Sequence, residues 1–80
     1  MDTISAVKNR ILQLCGERNI SVNRLASISA LPPSSVKNIL YGKSQNPKLL
    51  TFKMLCDGLG ITLGEFFSTP EFDALEQEIR

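Results

Sequence analysis

Histidine is absent from this 80-residue chain, and cysteine occurs only twice, at Cys15 and Cys56, with no CxxC spacing. The first absence removes the commonest metal ligand and the commonest general base. Together the two leave no ligand set for a metal ion. No nucleophile–base pair and no glycine-rich phosphate loop stand out, and Gly58-x-Gly60 reads as a helix terminus, so we expect no enzyme and no cofactor. Long apolar runs are missing too, which excludes a membrane span. The opening MDTISAVKNR has an acid at position 2 and no continuous apolar stretch, unlike a signal peptide, so a cytoplasmic location is expected. Both cysteines stand at helical positions among apolar neighbours and read as reduced, buried thiols. Eighty residues allow one hydrophobic core, and an apolar fraction of 42% is enough to build it.

The net charge of +1 hides an uneven distribution. Residues 1–53 hold eight bases against two acids, a balance of +6, whereas residues 54–80 hold one base against six acids, a balance of −5. A polyanion would be drawn to the first part and repelled by the second. The alternative is ordinary solvated charge that happens to sort this way.

Apolar spacing predicts helices throughout and no strand. Ile4, Val7, Ile11, Leu14 and Cys15 form one stripe from about Thr3 to Arg18. Ser21 is a good N-cap for a second helix reaching Ile28 or Ser29. A turn at Ser29-Ala30-Leu31 leads to a third helix, over about residues 33–41. Pro33 sits in its first turn, Val36 and Ile39 anchor it, and Gly42 ends it. If Ala30 has positive φ, it bears a cost that glycine would not. A fourth helix carries Leu49, Phe52, Leu55, Cys56 and Leu59 and stops at Gly60. The fifth begins with the capping-box spacing Thr62-Leu63-Gly64-Glu65. Phe66, Phe67 and Phe72 read as core. Phe72, Leu75 and Ile79, at i, i+3 and i+7, predict an amphipathic helix over Glu71–Arg80, and its stripe must cover either its own domain or a second copy.

The second and third helices, VNRLASISALPPSSVKNILYG, have the pattern of a helix-turn-helix. Apolar residues stand where such a pair packs, and Ser34, Ser35, Lys37, Asn38 and Tyr41 are left for the outward face. The wider stretch ISVNRLASISALPPSSVKNILYGKSQNPKLLTFKMLCDGLGITLGEFF, Ile20 to Phe67, resembles the Cro and lambda-repressor type of helix-turn-helix domain, also called XRE-type. Three segments carry the resemblance: Leu25-Ala26 in a polar-capped helix, VKNILYGKSQNP, and LCDGLGITLGEFF. It implies a compact all-α five-helix DNA-binding domain over residues 1–68, followed by a short C-terminal helical extension over 69–80. It also implies a transcriptional regulator bound to double-stranded DNA, commonly as a homodimer.

Carried over by position, Ser34, Ser35, Lys37 and Asn38 would contact bases. Asn23, Arg24, Tyr41, Lys43, Ser44 and Asn46 would lie near phosphates, and Phe72, Leu75 and Ile79 would form a dimer interface. The side-chain chemistry fits: Asn pairs bidentately with adenine, Lys with guanine, and Ser is permissive. Each has a plainer alternative. Ser34 and Ser35 suit helix capping, Lys37 and Asn38 suit a solvated face, and Tyr41 suits packing on the fourth helix. Lys8 and Arg10 read as surface charge. The chain departs from the family pattern at Val22, where a phosphate-binding Gln is common, and at Pro33, where a base-reading Gln is usual. Outside DNA binding, the same fold would serve as a protein-interaction module, such as an antitoxin-like adaptor, and that use calls for an exposed apolar patch at Leu40, Tyr41 or the Phe72 stripe.

Overall fold

The computed structural model describes residues 2–41 and 44–79, and every regular element among them is helical. Six helices follow in order: α1 (Thr3–Arg18), α2 (Val22–Ile28), α3 (Pro33–Leu40), α4 (Leu49–Leu59), α5 (Leu63–Phe67) and α6 (Pro70–Asp73). The first five fall where apolar spacing and caps put them.

Their starts are set by side chains that accept orphan N–H groups. Asp2 accepts from Ser5 N at 2.9 Å, and this hydrogen bonding holds its carboxyl below the usual carboxylate range. Ser21 Oγ accepts from Arg24 N at 3.0 Å. Thr62 and Glu65 form the full capping box, each side chain bonding the other's backbone N–H at 3.0 Å. By contrast, α3 starts at Pro32 and α4 at Lys48 with no side-chain cap.

Three helix ends share one device, the Schellman motif. A left-handed residue closes each helix, and the next residue sends its N–H five positions back. Asn19 (φ 53) closes α1, with Ile20 N bonded to Cys15 O at 3.1 Å. Ala30 (φ 56) closes α2, with Leu31 N bonded to Ala26 O at 2.9 Å. Gly60 (φ 72) closes α4, with Ile61 N bonded to Cys56 O at 3.0 Å. The residue after each turn, Ile20, Leu31 or Ile61, packs on the core.

That core joins Val7, Ile11, Leu14 and Cys15 of α1 to Leu25 and Ala26 of α2, Val36 and Ile39 of α3, Phe52, Leu55, Cys56 and Leu59 of α4, and Phe66 of α5. Both cysteines are buried and free, and burial pushes both thiols up, so they remain protonated at neutral pH. Where α2 crosses α4 the backbones nearly touch. A Cβ on Gly58 would clash with Ser29 Oγ and lie 2.9 Å from Ile28 O. Ser29 Oγ is buried in that contact with no hydrogen-bond partner among the described residues.

The C-terminal segment departs from the sequence expectation. Helix α6 covers only Pro70–Asp73, capped by Thr69, and residues 74–79 are not helical. Two causes act together. Glu76 and Glu78 would crowd negative charge at a helix C-terminus, where the macrodipole is already negative. The proposed stripe also lacks a continuous surface to cover. Phe72 is half-buried against Phe66 and Phe67, with ring centroids at 6.3 and 5.1 Å, while Ile79 is 81% exposed. The segment instead turns towards α1, where Thr3 Oγ1 donates to Glu78 Oε2 at 2.6 Å.

Candidate nucleic-acid interface

Helices α2 and α3 hold each other through Leu25, Ala26, Val36 and Ile39, all at most 2% exposed. With Val36 and Ile39 inward, helical geometry sends the other side of α3 outward. Ser34, Lys37 and Asn38 are exposed, and Ser35 is half-buried at the edge. Residues four apart share a row, so Pro33 stands below Lys37 and Ser34 below Asn38. None of the side chains of Ser34, Lys37 and Asn38 makes a hydrogen bond or ion pair among the described residues. Ser34 and Ser35 do not cap α3, since its N-cap is Pro32 and no side chain bonds the first turn.

The remaining DNA-contact candidates stand on the neighbouring segments. Asn23 and Arg24 are exposed in the first turn of α2. Tyr41, directly after α3, is 70% exposed, so its ring does not pack into α4. Ser44 N donates to Asn38 O at 2.9 Å, which ties Ser44 to the last turn of α3. Ser35, Asn38, Ser44 and Asn46 come together with Lys48 and Thr51 around a shallow cleft of about 330 Å³. Lys43 and the helix-ending Gly42 lie outside the described residues. Of the three residues expected at a dimer interface, Phe72 lies on its own core, Leu75 is half-buried and Ile79 is exposed.

The bases divide into two groups that the sequence does not separate. Arg10 donates from Nε to Phe66 O at 2.8 Å and from Nη2 to Glu65 O at 2.7 Å, and Nη1 reaches Gln13 Oε1 at 3.0 Å. It is a charged cap on the C-terminal end of α5. Arg18 Nη2 donates to Leu59 O at 3.3 Å, serving α4 in the same way, and also lies 4.0 Å from Glu17. Lys53 pairs with Asp57 one helical turn on. Arg24, Lys37 and Lys48 have no ion pair or side-chain hydrogen bond among the described residues, and all three are exposed. These exposed, unpaired bases belong to α2, α3 and the start of α4, whereas Lys8, which also has no ion pair or side-chain hydrogen bond among the described residues, is half-buried on α1. The roles of Arg10 and Arg18 are out of reach in the sequence because their partners stand 56, 55 and 41 residues away. No sequence pattern marks Lys48 either.

The profile of the Cro/C1-type HTH DNA-binding domain matches residues 10–71. The chain belongs to that family. The match spans the helix-turn-helix and the helices that support it. The crystal structure of prophage Lp1 protein 11 is similar over its whole length, with a TM-score of 0.80 and 29% sequence identity, covering 94% of this chain and 100% of that one. No curated protein matches the sequence. Among the described residues, no helix is long and apolar enough to cross a membrane, and no cluster of His, Cys, Asp and Glu is fit to hold a metal ion.

Proposed function

We propose that this Cro/C1-type domain is a cytoplasmic, sequence-specific transcriptional regulator that places α3 in the major groove of double-stranded DNA. One observation carries the reading. The outward row of α3 presents Ser34, Lys37 and Asn38 exposed and without intramolecular partners, on a helix whose opposite face is fixed by Val36 and Ile39. Such a row suits base edges: Asn38 suits adenine, Lys37 suits guanine, and Ser34 with the half-buried Ser35 accepts either. We assign phosphate contacts to Asn23, Arg24, Tyr41, Lys43, Ser44 and Asn46, and join to them Lys48, which is exposed.

Two copies on two half-sites roughly double the contact set, so the regulator acts as a homodimer. Of the three residues expected at that interface, Phe72 already covers its own core and Ile79 remains open. For the adaptor reading, Leu40 is half-buried and the Phe72 stripe is broken up, and of its candidates only Tyr41, 70% exposed, presents a large surface.

Selection from a randomised duplex pool at two salt concentrations tests the proposal. An enriched motif with half-sites about one helical turn (~34 Å) apart supports a dimeric reader. Failure to retain any duplex at low salt would overturn it.

A further inference from the structure

The leading edge of α3 is built from two prolines. Pro32 is its N-cap (φ −60, ψ 141) and Pro33 its first helical residue, and both are exposed. Neither has a backbone N–H to donate. The Pro32 carbonyl already accepts from Ser35 N at 3.0 Å. The start of this helix therefore offers rigid C–H surface beside a polar row. Pro33 adjoins Ser34 and stands one turn below Lys37, so it reaches the same neighbourhood as the polar reading set.

Resting on the DNA-binding reading above, we propose that Pro33 determines specificity by packing its ring against the 5-methyl group of one thymine in each half-site. The major groove has one apolar feature, the thymine methyl. Opposite guanine, adenine or cytosine, the ring would cover a polar edge and leave it unpaired, which is unfavourable. Ring and helix start are also pinned, so the contact requires little ordering. Where a hydrogen-bonding side chain would read a purine, this chain carries a methyl reader.

The test uses a duplex enriched from the randomised pool, with each thymine replaced in turn by deoxyuridine. That exchange removes the methyl and keeps every hydrogen-bonding group. The native chain should lose about fourfold in affinity at one position per half-site, the effect of exposing one buried CH₂-sized group. Pro33→Ser, checked for an unchanged helical circular dichroism signal, should bind thymine and uracil equally at that position. Indifference of the native chain to every replacement overturns the inference and leaves DNA binding intact. So does a uracil effect that persists in Pro33→Ser. Absence of binding to any duplex would instead remove the DNA reading, and this inference with it.

Discussion

Two sets of basic residues belong to different helices and do different work. Arg10 and Arg18 project from α1 onto the carbonyl ends of α5 and α4, where their charge offsets the negative ends of those helices. Arg24, Lys37 and Lys48 surround the helix-turn-helix and find no partner among the described residues. A balance of +6 counts all of them alike. In the structure, the first set stabilises the scaffold and the second is left for another molecule. Charge asymmetry in a short chain thus signals function only after the internal carbonyl caps have been taken out of it.

Gly58→Ala should break the scaffold side of this contrast most severely. The added Cβ meets Ser29 Oγ and Ile28 O at distances that force α2 and α4 apart. Overpacking of this kind costs about 3 kcal/mol at its upper end. Chemical denaturation should show the loss. DNA affinity should fall with it, because α2 supports α3. Unchanged stability would mean that the crossing yields without strain.

Arg10→Met sharpens the contrast directly. It retains much of the apolar stem over Phe66 but removes the charged hydrogen bonds to Glu65 O and Phe66 O. Hydrogen bonds to charged groups contribute about 1.5–3 kcal/mol. Arg10 is only half-buried, so solvent screening places the expected loss near the low end. The salt dependence of DNA binding should stay the same. A drop in its slope would move Arg10 into the interface.

On the other side, Asn38→Ala should cost about 1–3 kcal/mol on the preferred sequence and relax discrimination at one base pair, with thermal stability unchanged. Equal loss on all sequences would assign Asn38 to the backbone. Arg24→Ala and Lys48→Ala should each lower affinity uniformly and flatten the plot of log K against log salt by about one unit. Stability should move by less than about 0.5 kcal/mol, as is usual for surface substitutions. An unaltered slope would show that the residue's exposure has nothing to do with phosphate.

Local chemistry is legible in the amino-acid order itself. The limits of α1–α5 and the Thr62–Glu65 box follow from residues within five positions of one another, whereas the left-handed φ of Ala30 is raised only by the resemblance and given by the structure. The outward side of α3 follows as well, because Val36 and Ile39 fix its inward side. Arg10 and Gly58 are not legible in this way. Their roles depend on which carbonyl or hydroxyl another part of the chain brings near, and no periodicity encodes that. The tail misleads for a related reason. An i, i+3, i+7 stripe specifies a helix only where a surface exists to bury it, and here Phe72 alone finds one.

The smallest effect tests the turn that sets α3 against α2. The molecule uses the same left-handed helix ending three times, with Asn19, Ala30 and Gly60 in the critical place. Asparagine tolerates that conformation and glycine adopts it freely, whereas alanine brings its Cβ close to the following carbonyl oxygen. Ala30 is exposed, so its methyl contributes no core packing to offset this strain. Relief of a left-handed alanine is worth about 1–2 kcal/mol. Glycine returns part of that by loosening the unfolded chain, an opposing contribution of about 0.4–1 kcal/mol. Ala30→Gly should therefore stabilise the domain by roughly 0.5–1 kcal/mol in chemical denaturation, the difference of those two effects. The hydrogen bond from Leu31 N to Ala26 O is unaffected by the exchange, so the angle between the helices and the DNA affinity should both be preserved. A gain in stability accompanied by weaker or less selective binding would show that the strained alanine holds α3 in a reading position that a relaxed turn abandons.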